Sequence, residues 1–365
     1  MNDFAPQLLL AIASQFQIPV PQKIDPLGQG NINRTYLVSS AQEKYVLQAI
    51  NRDLYPQPEK VIHNILEVTR AQQEFFQASP PEIPVALIEL VPSKSSEYLI
   101  WDHDQSFRLF RYLEGGLIFQ NLGEVSAPLR TKVAYELGKG WARFHTSIAS
   151  IPLENLEILL PNFHDTATIF EQFLRVKEES EQGKTVRNWK TLERSKRIVR
   201  LILDRQELAL SQRPLKVPRR PTHNDTKLNN CVFVPDIFSV LCLLDLDTIQ
   251  AGCVHFDVGD GIRSAANLAG EETQELKNVR WDQDSVEAIL AGYLDNAPFL
   301  TEEEKKILPL SPQIIAFELG IRFFTDYLQG DIYFRNFISS RPNRNLERAE
   351  VQFKLVENFK RCFQS

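Results

Sequence analysis

A histidine, an aspartate, a lysine and an asparagine follow one another at fixed spacing in residues 221–230, PTHNDTKLNN. His223 stands two residues before Asp225, and Asn230 stands five residues after it. In phosphoryl-transfer loops of this spacing, the aspartate accepts the proton of the attacking hydroxyl and the asparagine binds a magnesium ion. Lys227 lies between them and can neutralise charge on a phosphoryl group during transfer. The spacing predicts Asp225 as the catalytic base, Lys227 as a second catalytic residue and Asn230 as a metal ligand.

The segment after this loop supplies further carboxylates at the end of an apolar strand. Residues 231–234 and 240–244 have the composition of strands and are separated by a short turn, which predicts an antiparallel hairpin. Asp245 and Asp247 follow the second strand directly. The hairpin would bring Asp245 to Asn230, where a carboxylate binds the magnesium ion between the β- and γ-phosphates; Asp247 is a further candidate metal ligand. The alternative is a buried structural histidine among aspartates and asparagines that cap turns.

The composition is that of a globular protein with a sizeable core. The chain has 365 residues, of which 43% are hydrophobic and 24% charged, so two lobes or one large α+β body are expected. The net charge of −6, with acids and bases interspersed, does not indicate nucleic acid or a membrane as a partner. The sequence shows no C-x-x-C pair, no signal-peptide pattern and no window of 18 apolar residues. A reducing, cytoplasmic location is expected.

The N-terminal part contains a strand, a turn rich in glycine and asparagine, and a second strand. Gly28, Gly30, Asn31 and Asn33 belong to this turn. Glycine lets the backbone approach phosphate oxygens closely and direct N–H groups at them, so these residues are candidates for binding a nucleotide. A plain hairpin turn has the same pattern and is the alternative.

The third predicted strand, KYVLQAI, departs from the usual pattern of kinases. In protein kinases this strand carries a lysine that contacts the phosphates. Gln48 stands near that position and is assigned to the nucleotide site, whereas Lys44 lies too early in the strand to replace the lysine. Residues 107–116 read as a strand that ends in two glycines, a predicted hinge between lobes. Backbone groups of Arg111 and Tyr112 there would bind an adenine edge.

Beyond this hinge the pattern is mostly helical. Asp257 and Asp260 are expected to cap the helix that follows residue 255 and to bond the catalytic loop. Glu67 lies in an earlier helix and either faces the third strand or belongs to a solvated helix face. The helices are predicted at residues 4–16, 58–77, 128–147, 166–213 with an interruption near 181–185, 284–295, 301–308, 312–327 and 345–362, and two more strands are predicted at 84–90 and 97–102.

Blocks along nearly the whole chain resemble the aminoglycoside phosphotransferase and choline kinase superfamily. They lie at residues 28–38, 45–48, 222–230, 245–248, 256–260 and 322–334. The last block resembles the N-acetylhexosamine 1-kinases in particular. The resemblance implies an α+β, protein-kinase-like bilobal fold. A small β-rich N-lobe would comprise residues 1–113, and a large, mostly helical C-lobe would comprise residues 114–365.

The same resemblance implies a phosphotransferase that uses ATP and Mg²⁺ and has an alcohol group as acceptor. The acceptor would be the anomeric hydroxyl of GlcNAc or GalNAc, and the product would be the sugar 1-phosphate. Asp225, Arg322 and Tyr333 would contact the sugar or its acetamido group. Two departures concern the identity of the sugar: the superfamily usually has histidine where Asn31 stands, and residues 115–120 differ from the sugar kinases.

Two other interpretations stay open. One is a kinase of another small alcohol, such as an aminoglycoside, homoserine or a choline-like amine. Cationic acceptors need a dense acidic patch, and the chain has only short ones at residues 178–181, 271–272 and 302–304. The other is a non-catalytic nucleotide-binding protein of the same fold, which the missing third-strand lysine suggests.

Overall fold

A small β-rich lobe is followed by a larger helical lobe in the computed structural model, which describes residues 4–28, 32–211, 216–334 and 341–363. The bilobal α+β architecture expected from the sequence is confirmed. The strands of the first lobe are β1 (Lys23–Pro26), β2 (Arg34–Ser39), β3 (Lys44–Ala49), β4 (Leu90–Val91), β5 (Ile100–Asp102) and β6 (Gln105–Arg111).

These strands form one antiparallel sheet in the order β1-β2-β3-β6-β4, and β5 pairs with the free part of β6. Alternation along β3 buries Tyr45 and Leu47 in a core that helix α1 (Pro6–Ala13) completes. Gln48 lies on the opposite face of the sheet. The pairing of β3 with β6 sets Arg108 directly across from Gln48, so these two polar side chains share a face.

Helix α2 (Pro58–Ala78) lies between β3 and β4 in the chain and packs against the second lobe. It begins with a proline in its first turn, where no backbone N–H is needed. Val61 and Ile65 are buried in the main core, which also contains the helices of the second lobe. Glu67 binds Arg70 one turn further along the same helix, at 2.7 Å, so it pairs within the helix rather than with β3.

The second lobe is built around helix α10 (Ser311–Gln329). The stretch Glu302–Gln329 is long and apolar enough to cross a membrane, but 78% of its most apolar window is buried inside the lobe. Packing between helices therefore accounts for its apolar character. The other helices of this lobe are α3 (Ala127–Ile148), α4 (Thr166–Glu181), α5 (Glu193–Asp204), α6 (Gln206–Leu210), α7 (Val254–Ala265), α8 (Gln283–Asn296), α9 (Glu302–Ile307) and α11 (Arg344–Phe363).

Two short antiparallel pairs carry the predicted catalytic segment. Strand β7 (Arg220–Thr222) pairs with β10 (Gln250–Gly252). Strand β8 (Cys231–Phe233) pairs with β9 (Val240–Leu243), which confirms the predicted hairpin.

The strand predicted at residues 84–90 is wrong for most of its length. Only Leu90–Val91 is a strand. Pro84 has no N–H to give to a sheet, and Ala86 instead donates its amide to Leu241 O at 2.9 Å. This segment therefore attaches to β9 through a single bond.

Candidate active site

A carboxylate in the first turn of α7 fixes the catalytic loop. Asp257 accepts hydrogen bonds from the amides of His223 (2.8 Å) and Asn224 (2.6 Å) and from His145 Nε2 (2.7 Å). Burial raises the pKa of Asp257, but the hydrogen bond and charge of His145 and the bond from His223 outweigh it, so the pKa is lowered. The predicted bond between this helix and the loop is confirmed for Asp257, whereas the predicted cap is wrong: α7 begins at Val254, its N-cap residue Cys253 makes no side-chain cap bond, and Asp260 binds Arg263.

The exchange Asp257→Asn is expected to reduce the free energy of unfolding by roughly 3 kcal/mol or more, because a buried, fully bonded carboxylate loses its charge and one acceptor. The new amide NH₂ would also face backbone donors. Urea denaturation measures the loss. Asp236→Asn, in the exposed turn between β8 and β9, is the matched control. A loss no larger than that of the control would show that Asp257 does not hold the loop.

His223 has a structural part in the loop. Its Nε2 lies 2.8 Å from Leu244 O, and its Nδ1 accepts the amide of Asp225 at 3.2 Å. A carbonyl can only accept and an amide can only donate, so the ring is the neutral tautomer with its proton on Nε2. The histidine of the motif therefore ties the loop to the end of β9.

The predicted base, lysine and asparagine converge. Lys227 Nζ lies 2.7 Å from Asp225 Oδ1, and Asn230 Nδ2 donates to Asp225 Oδ2 at 3.1 Å. Burial raises the pKa of Asp225, but the charge and hydrogen bond of Lys227 outweigh it and the pKa is lowered. The carboxylate is thus ionised at neutral pH, which is the state that can accept a proton.

A chain of alternating charges continues behind the lysine. The charges of Asp225 and Asp260 raise the pKa of Lys227 against the opposing effect of burial. Asp260 binds Arg263 at 2.7 Å. Arg263 and Arg348 both bind Glu271, and Arg348 belongs to α11. A series of oppositely charged side chains therefore extends from the catalytic loop to α11.

Asp245 follows β9 in a left-handed conformation, with φ of 59°. Its neighbour Leu244 donates its amide to Asn230 O at 2.7 Å, which brings the two predicted metal ligands together. Burial, followed by the charges of Asp247 and Asp225, raises the pKa of Asp245 to about 7. A divalent cation would supply the missing positive charge.

The donor set fits magnesium held partly by phosphate. Asn230 and Asp245 offer side-chain oxygens, which Mg²⁺ prefers, and this ion commonly takes only one or two carboxylates with phosphate oxygens and water completing its shell. Among residues 4–28, 32–211, 216–334 and 341–363, no group of three or more His, Cys, Asp or Glu side chains forms a metal site of its own.

Asp247 was expected to bind metal and has a different environment. Both of its oxygens lie close to Arg108 Nη2, at 2.6 and 2.7 Å, and Asn33 Nδ2 donates to it at 2.6 Å. Asp247 and Arg108 are both almost fully buried. The carboxylate is therefore paired with an arginine of the other lobe, while its Oδ1 accepts no hydrogen bond from the described residues, so its part in metal binding stays a prediction.

The glycine-rich turn is described in part. Gly28 adopts φ of 70°, which favours glycine, whereas Gly30 and Asn31 lie outside the described residues. Asn33 accepts the amide of Asn51 at 3.0 Å through its side-chain oxygen. Because its Nδ2 also reaches Asp247, Asn33 links the end of this turn to the second lobe.

The predicted hinge differs in detail from the expectation. The amide of Arg111 donates to Glu89 O at 3.0 Å, and the amide of Tyr112 donates to Lys44 O at 3.1 Å. These N–H groups are therefore not free to bind an adenine edge. The Arg111 side chain pairs with Glu43 and Glu89 at the surface, away from the buried pair of Arg108 and Asp247.

The two residues predicted to contact substrate, Arg322 and Tyr333, lie together. Arg322 Nη2 lies 3.3 Å from the Tyr333 hydroxyl, and its guanidinium lies 4.8 Å from the Phe163 ring centre and 5.4 Å from that of Phe334. Asp326 fixes the segment that carries Tyr333, because it accepts the amides of residues 332, 333 and 334 at 2.7–2.9 Å. An aromatic cluster thus holds this arginine at one place.

Tyr55 relates this cluster to the catalytic carboxylates. Burial raises its pKa well above the ordinary value, and the negative charges of Asp247, Asp245 and Asp225 raise it further, as would an ionised Tyr333. Tyr55 therefore lies within electrostatic reach of the base, the candidate metal ligand and the substrate candidate. Tyr55 could not be predicted from the sequence, because an isolated tyrosine between a strand and a helix belongs to no motif.

His164 is a second residue near the loop that the sequence did not indicate. Its Nδ1 lies 2.9 Å from Glu318 Oε1 and its Nε2 lies 3.2 Å from Asn224 O. Both partners are acceptors, so both ring nitrogens must carry protons. Burial lowers the pKa of His164, but the charge and hydrogen bond of Glu318 outweigh it and the pKa is raised. An imidazolium thus joins α10 to the catalytic loop.

This arrangement predicts a pH-dependent stability. Because the folded-state pKa of His164 is raised above 6.5, its contribution is complete below about pH 6.5 and is lost as the pH rises through the folded-state value. Thermal melts from pH 5.5 to 9 should show His164→Gln differing most from wild type at the acidic end, with the gap closing as the pH rises. A gap that stays constant over this range would contradict the charged state.

The sequence and the fold of this chain are similar to those of known phosphotransferases. Residues 23–296 match the sequence profile of the phosphotransferase enzyme family, APH. An aminoglycoside phosphotransferase from Alicyclobacillus acidocaldarius superposes with a TM-score of 0.58 at 14% identity, covering 99% of this chain and 95% of its own. Spectinomycin phosphotransferase APH(9)-Ia, in complex with ADP and spectinomycin, gives 0.56 at 13% identity, covering 97% and 100%.

A third similar structure is an ethanolamine kinase of Plasmodium vivax. It superposes with a TM-score of 0.55 at 12% identity, covering 90% of this chain and 81% of its own. At such low identity these three structures show a common fold. They differ among themselves in the acceptor that their names state.

Proposed function

Because the chain belongs to the phosphotransferase enzyme family, we propose that it is an ATP-dependent kinase acting on the anomeric hydroxyl of an N-acetylhexosamine or a related reducing sugar. The observation that carries the choice of acceptor is Arg322, a cation held beside Tyr333 in an aromatic cluster. Spectinomycin phosphotransferase, with its bound ADP, supports an adenine nucleotide as the donor.

The loop provides the chemistry that such a transfer needs. Asp225 is ionised and accepts the proton of the attacking hydroxyl. The anomeric hydroxyl is a favourable acceptor because the ring oxygen makes it more acidic. Lys227, paired with Asp225 at 2.7 Å, stabilises negative charge on the transferring group. Asn230 and Asp245 would hold Mg²⁺, which supplies charge neutralisation at the phosphates when bound.

The charge near Tyr333 favours a neutral acceptor. Arg322 would repel an ammonium group, and the carboxylates close by are bound within the protein. Glu318, 4.0 Å from Arg322, binds His164 and Thr166 at 2.9 Å each, and Asp326 accepts the amides of residues 332–334. An arginine can instead donate to sugar hydroxyls or to an acetamido oxygen. Both features support a sugar over a polyamine.

The short acidic patches noted in the sequence also do little for a cationic acceptor. Each contains carboxylates that are paired within the protein: Glu181 with Lys177 and Lys190, Glu271 with Arg263 and Arg348, Glu272 with Arg344, Glu302 with Lys305, and Glu304 with Arg220. These carboxylates therefore stabilise the fold and do not form a free acidic surface.

A coupled ADP-release assay over a panel of acceptors tests the proposal. The panel contains GlcNAc, GalNAc, glucose and galactose, their methyl glycosides, two aminoglycosides, ethanolamine, choline and homoserine, each with ATP and with GTP. We expect turnover with a reducing N-acetylhexosamine and none with its methyl glycoside, with Asp225→Asn as the blank. Equal turnover of the methyl glycoside would exclude the anomeric position, and turnover of amines alone would exclude the sugar.

A non-catalytic protein of the same fold is the remaining outcome. It would bind ATP and release no ADP with any member of the panel. The ionised Asp225 with its lysine and asparagine partners speaks against it, because binding alone does not require a base.

A further inference from the structure

An arginine, Arg108, lies beside the position in β3 where protein kinases have their lysine. Gln48, at the expected position, accepts hydrogen bonds from Arg108 Nε (3.1 Å) and Nη2 (2.8 Å) on the adjoining strand. Lys44 is unsuitable, since it is 48% exposed and pairs with Glu114 at 3.1 Å. Arg108 is therefore the positive group beside Gln48 on the face of the sheet turned toward Asp247.

Arg108 is held firmly and is still incompletely bonded. It is 1% exposed, with Nε and Nη2 bound to Gln48 and Nη2 also bound to Asp247. Its Nη1 is buried and has no hydrogen-bond partner among the described residues. A buried donor of a charged group without a partner costs stability, so this nitrogen indicates a place for an acceptor that the protein does not provide.

The surroundings of Arg108 match the triphosphate end of a nucleotide. Its Nη2 lies 2.6 Å from Asp247 Oδ1, in the segment that carries Asp245, the candidate metal ligand. Asp247, its partner, stands two residues after that ligand. A guanidinium also suits phosphate better than most groups, because its planar array of donors binds two oxygens at once.

We propose that Arg108 binds the triphosphate of the nucleotide and takes the place of the absent β3 lysine, an inference that rests on the proposed kinase function. Gln48 and Asp247 are positioning residues: they engage Nε and Nη2 and leave Nη1 for a phosphate oxygen. In protein kinases the β3 lysine forms an ion pair with a glutamate of the N-lobe helix αC. Here Glu67 of α2 pairs with Arg70, and the counter-charge comes from Asp247 in the other lobe.

A purely structural role is the competing account. Arg108 and Asp247 belong to different lobes, and their ion pair would hold the lobes together without contacting a ligand. Such an ion pair accounts for the contacts of Nη2 with Asp247. It does not account for the buried Nη1, which has no hydrogen-bond partner among the described residues. The two accounts differ in how Arg108→Gln affects ATP affinity in a protein that already lacks the Asp247 carboxylate.

A double-mutant cycle separates them. The four proteins are wild type, Arg108→Gln, Asp247→Asn and the double variant, and calorimetry measures the Kd of ATP with Mg²⁺ and of adenosine. The double variant removes both charges, so it avoids a buried unpaired carboxylate. We expect Arg108→Gln to weaken ATP by roughly tenfold or more in both backgrounds, the loss of a charge-assisted hydrogen bond. Adenosine affinity should stay within about twofold.

The outcomes are decisive in either direction. If Arg108→Gln alone does not fold, the comparison of Asp247→Asn with the double variant gives the same answer. An ATP loss confined to the background that contains Asp247, or an equal loss for ATP and adenosine, would overturn the proposal. Arg52→Gln, a surface arginine of the same lobe that donates to Asp104 O, is the control and should change neither affinity.

This test does not depend on the acceptor. Binding is measured without one, so a failed search for a phosphorylated sugar would contradict the proposed function and leave the assignment of Arg108 intact. If wild type bound ATP no more tightly than adenosine, the assignment of Arg108 would fall.

Discussion

Asp225→Asn is expected to reduce kcat by roughly a thousandfold or more, within the range known for loss of a general base, with ATP affinity nearly unchanged. An amide cannot accept the proton of the attacking hydroxyl. Asparagine keeps the size of the side chain and an oxygen for Lys227, so the loop should retain its conformation. The ADP-release assay gives kcat, and calorimetry gives the Kd of ATP.

Asp236→Asn provides the control for this change. It is the same exchange in the turn after β8, where the residue has φ of 69°, a conformation that asparagine tolerates. It should behave as wild type. A value of kcat for Asp225→Asn within about tenfold of wild type would show that another group takes the proton.

Asp245→Asn should reduce activity without reducing thermal stability. We expect kcat to fall by roughly a hundredfold or more, because charge stabilisation by the metal is a large part of phosphoryl transfer. Without Mg²⁺ at pH 8, the variant should melt no lower than wild type, since a carboxylate whose pKa is raised to about 7 by burial and by its neighbours opposes folding once it is ionised. Asparagine also accepts φ of 59°.

Thermal melts with and without Mg²⁺ and ATP check this pair of effects. Wild type should gain more from the metal and nucleotide than Asp245→Asn does. A variant that melts well below wild type without ligands, and gains as much from Mg²⁺ and ATP as wild type, would show that Asp245 supports the fold and not the metal.

Local pattern was enough for much of this fold. Apolar periodicity predicted α2, α3, α10 and α11 to within two residues of their observed ends, because the buried face of each helix repeats along the sequence. The hairpin of β8 and β9 followed from two apolar runs around a polar turn. Residues 84–89 misled because their apolar character serves packing, while Pro84 and the single bond of Ala86 exclude a strand.

The site divides along the same line. His223, Asp225, Lys227 and Asn230 belong to one loop, so their spacing alone predicted that they meet. Arg108 and Gln48 are 60 residues apart and become neighbours only when β3 pairs with β6. Local sequence carries no signal of such a pairing.

The ion pair of Asp247 could not be predicted for a related reason. In sequence, Asp245 and Asp247 are equivalent carboxylates on either side of a leucine. In the structure, Asp245 has a left-handed backbone and Asp247 pairs with Arg108 from the other lobe. A contact between the lobes thus gives two similar residues different environments.

The charge chain from Lys227 through Arg263 and Glu271 ends at Arg348, beyond residue 296, where the match to the family ends. Glu271, the carboxylate that neutralises Arg263 behind the catalytic loop, is thus shared with an arginine from outside the region that the family profile matches. A chain cut after residue 296 would lose that second partner, so the matched region alone does not contain the whole charge network of this lobe.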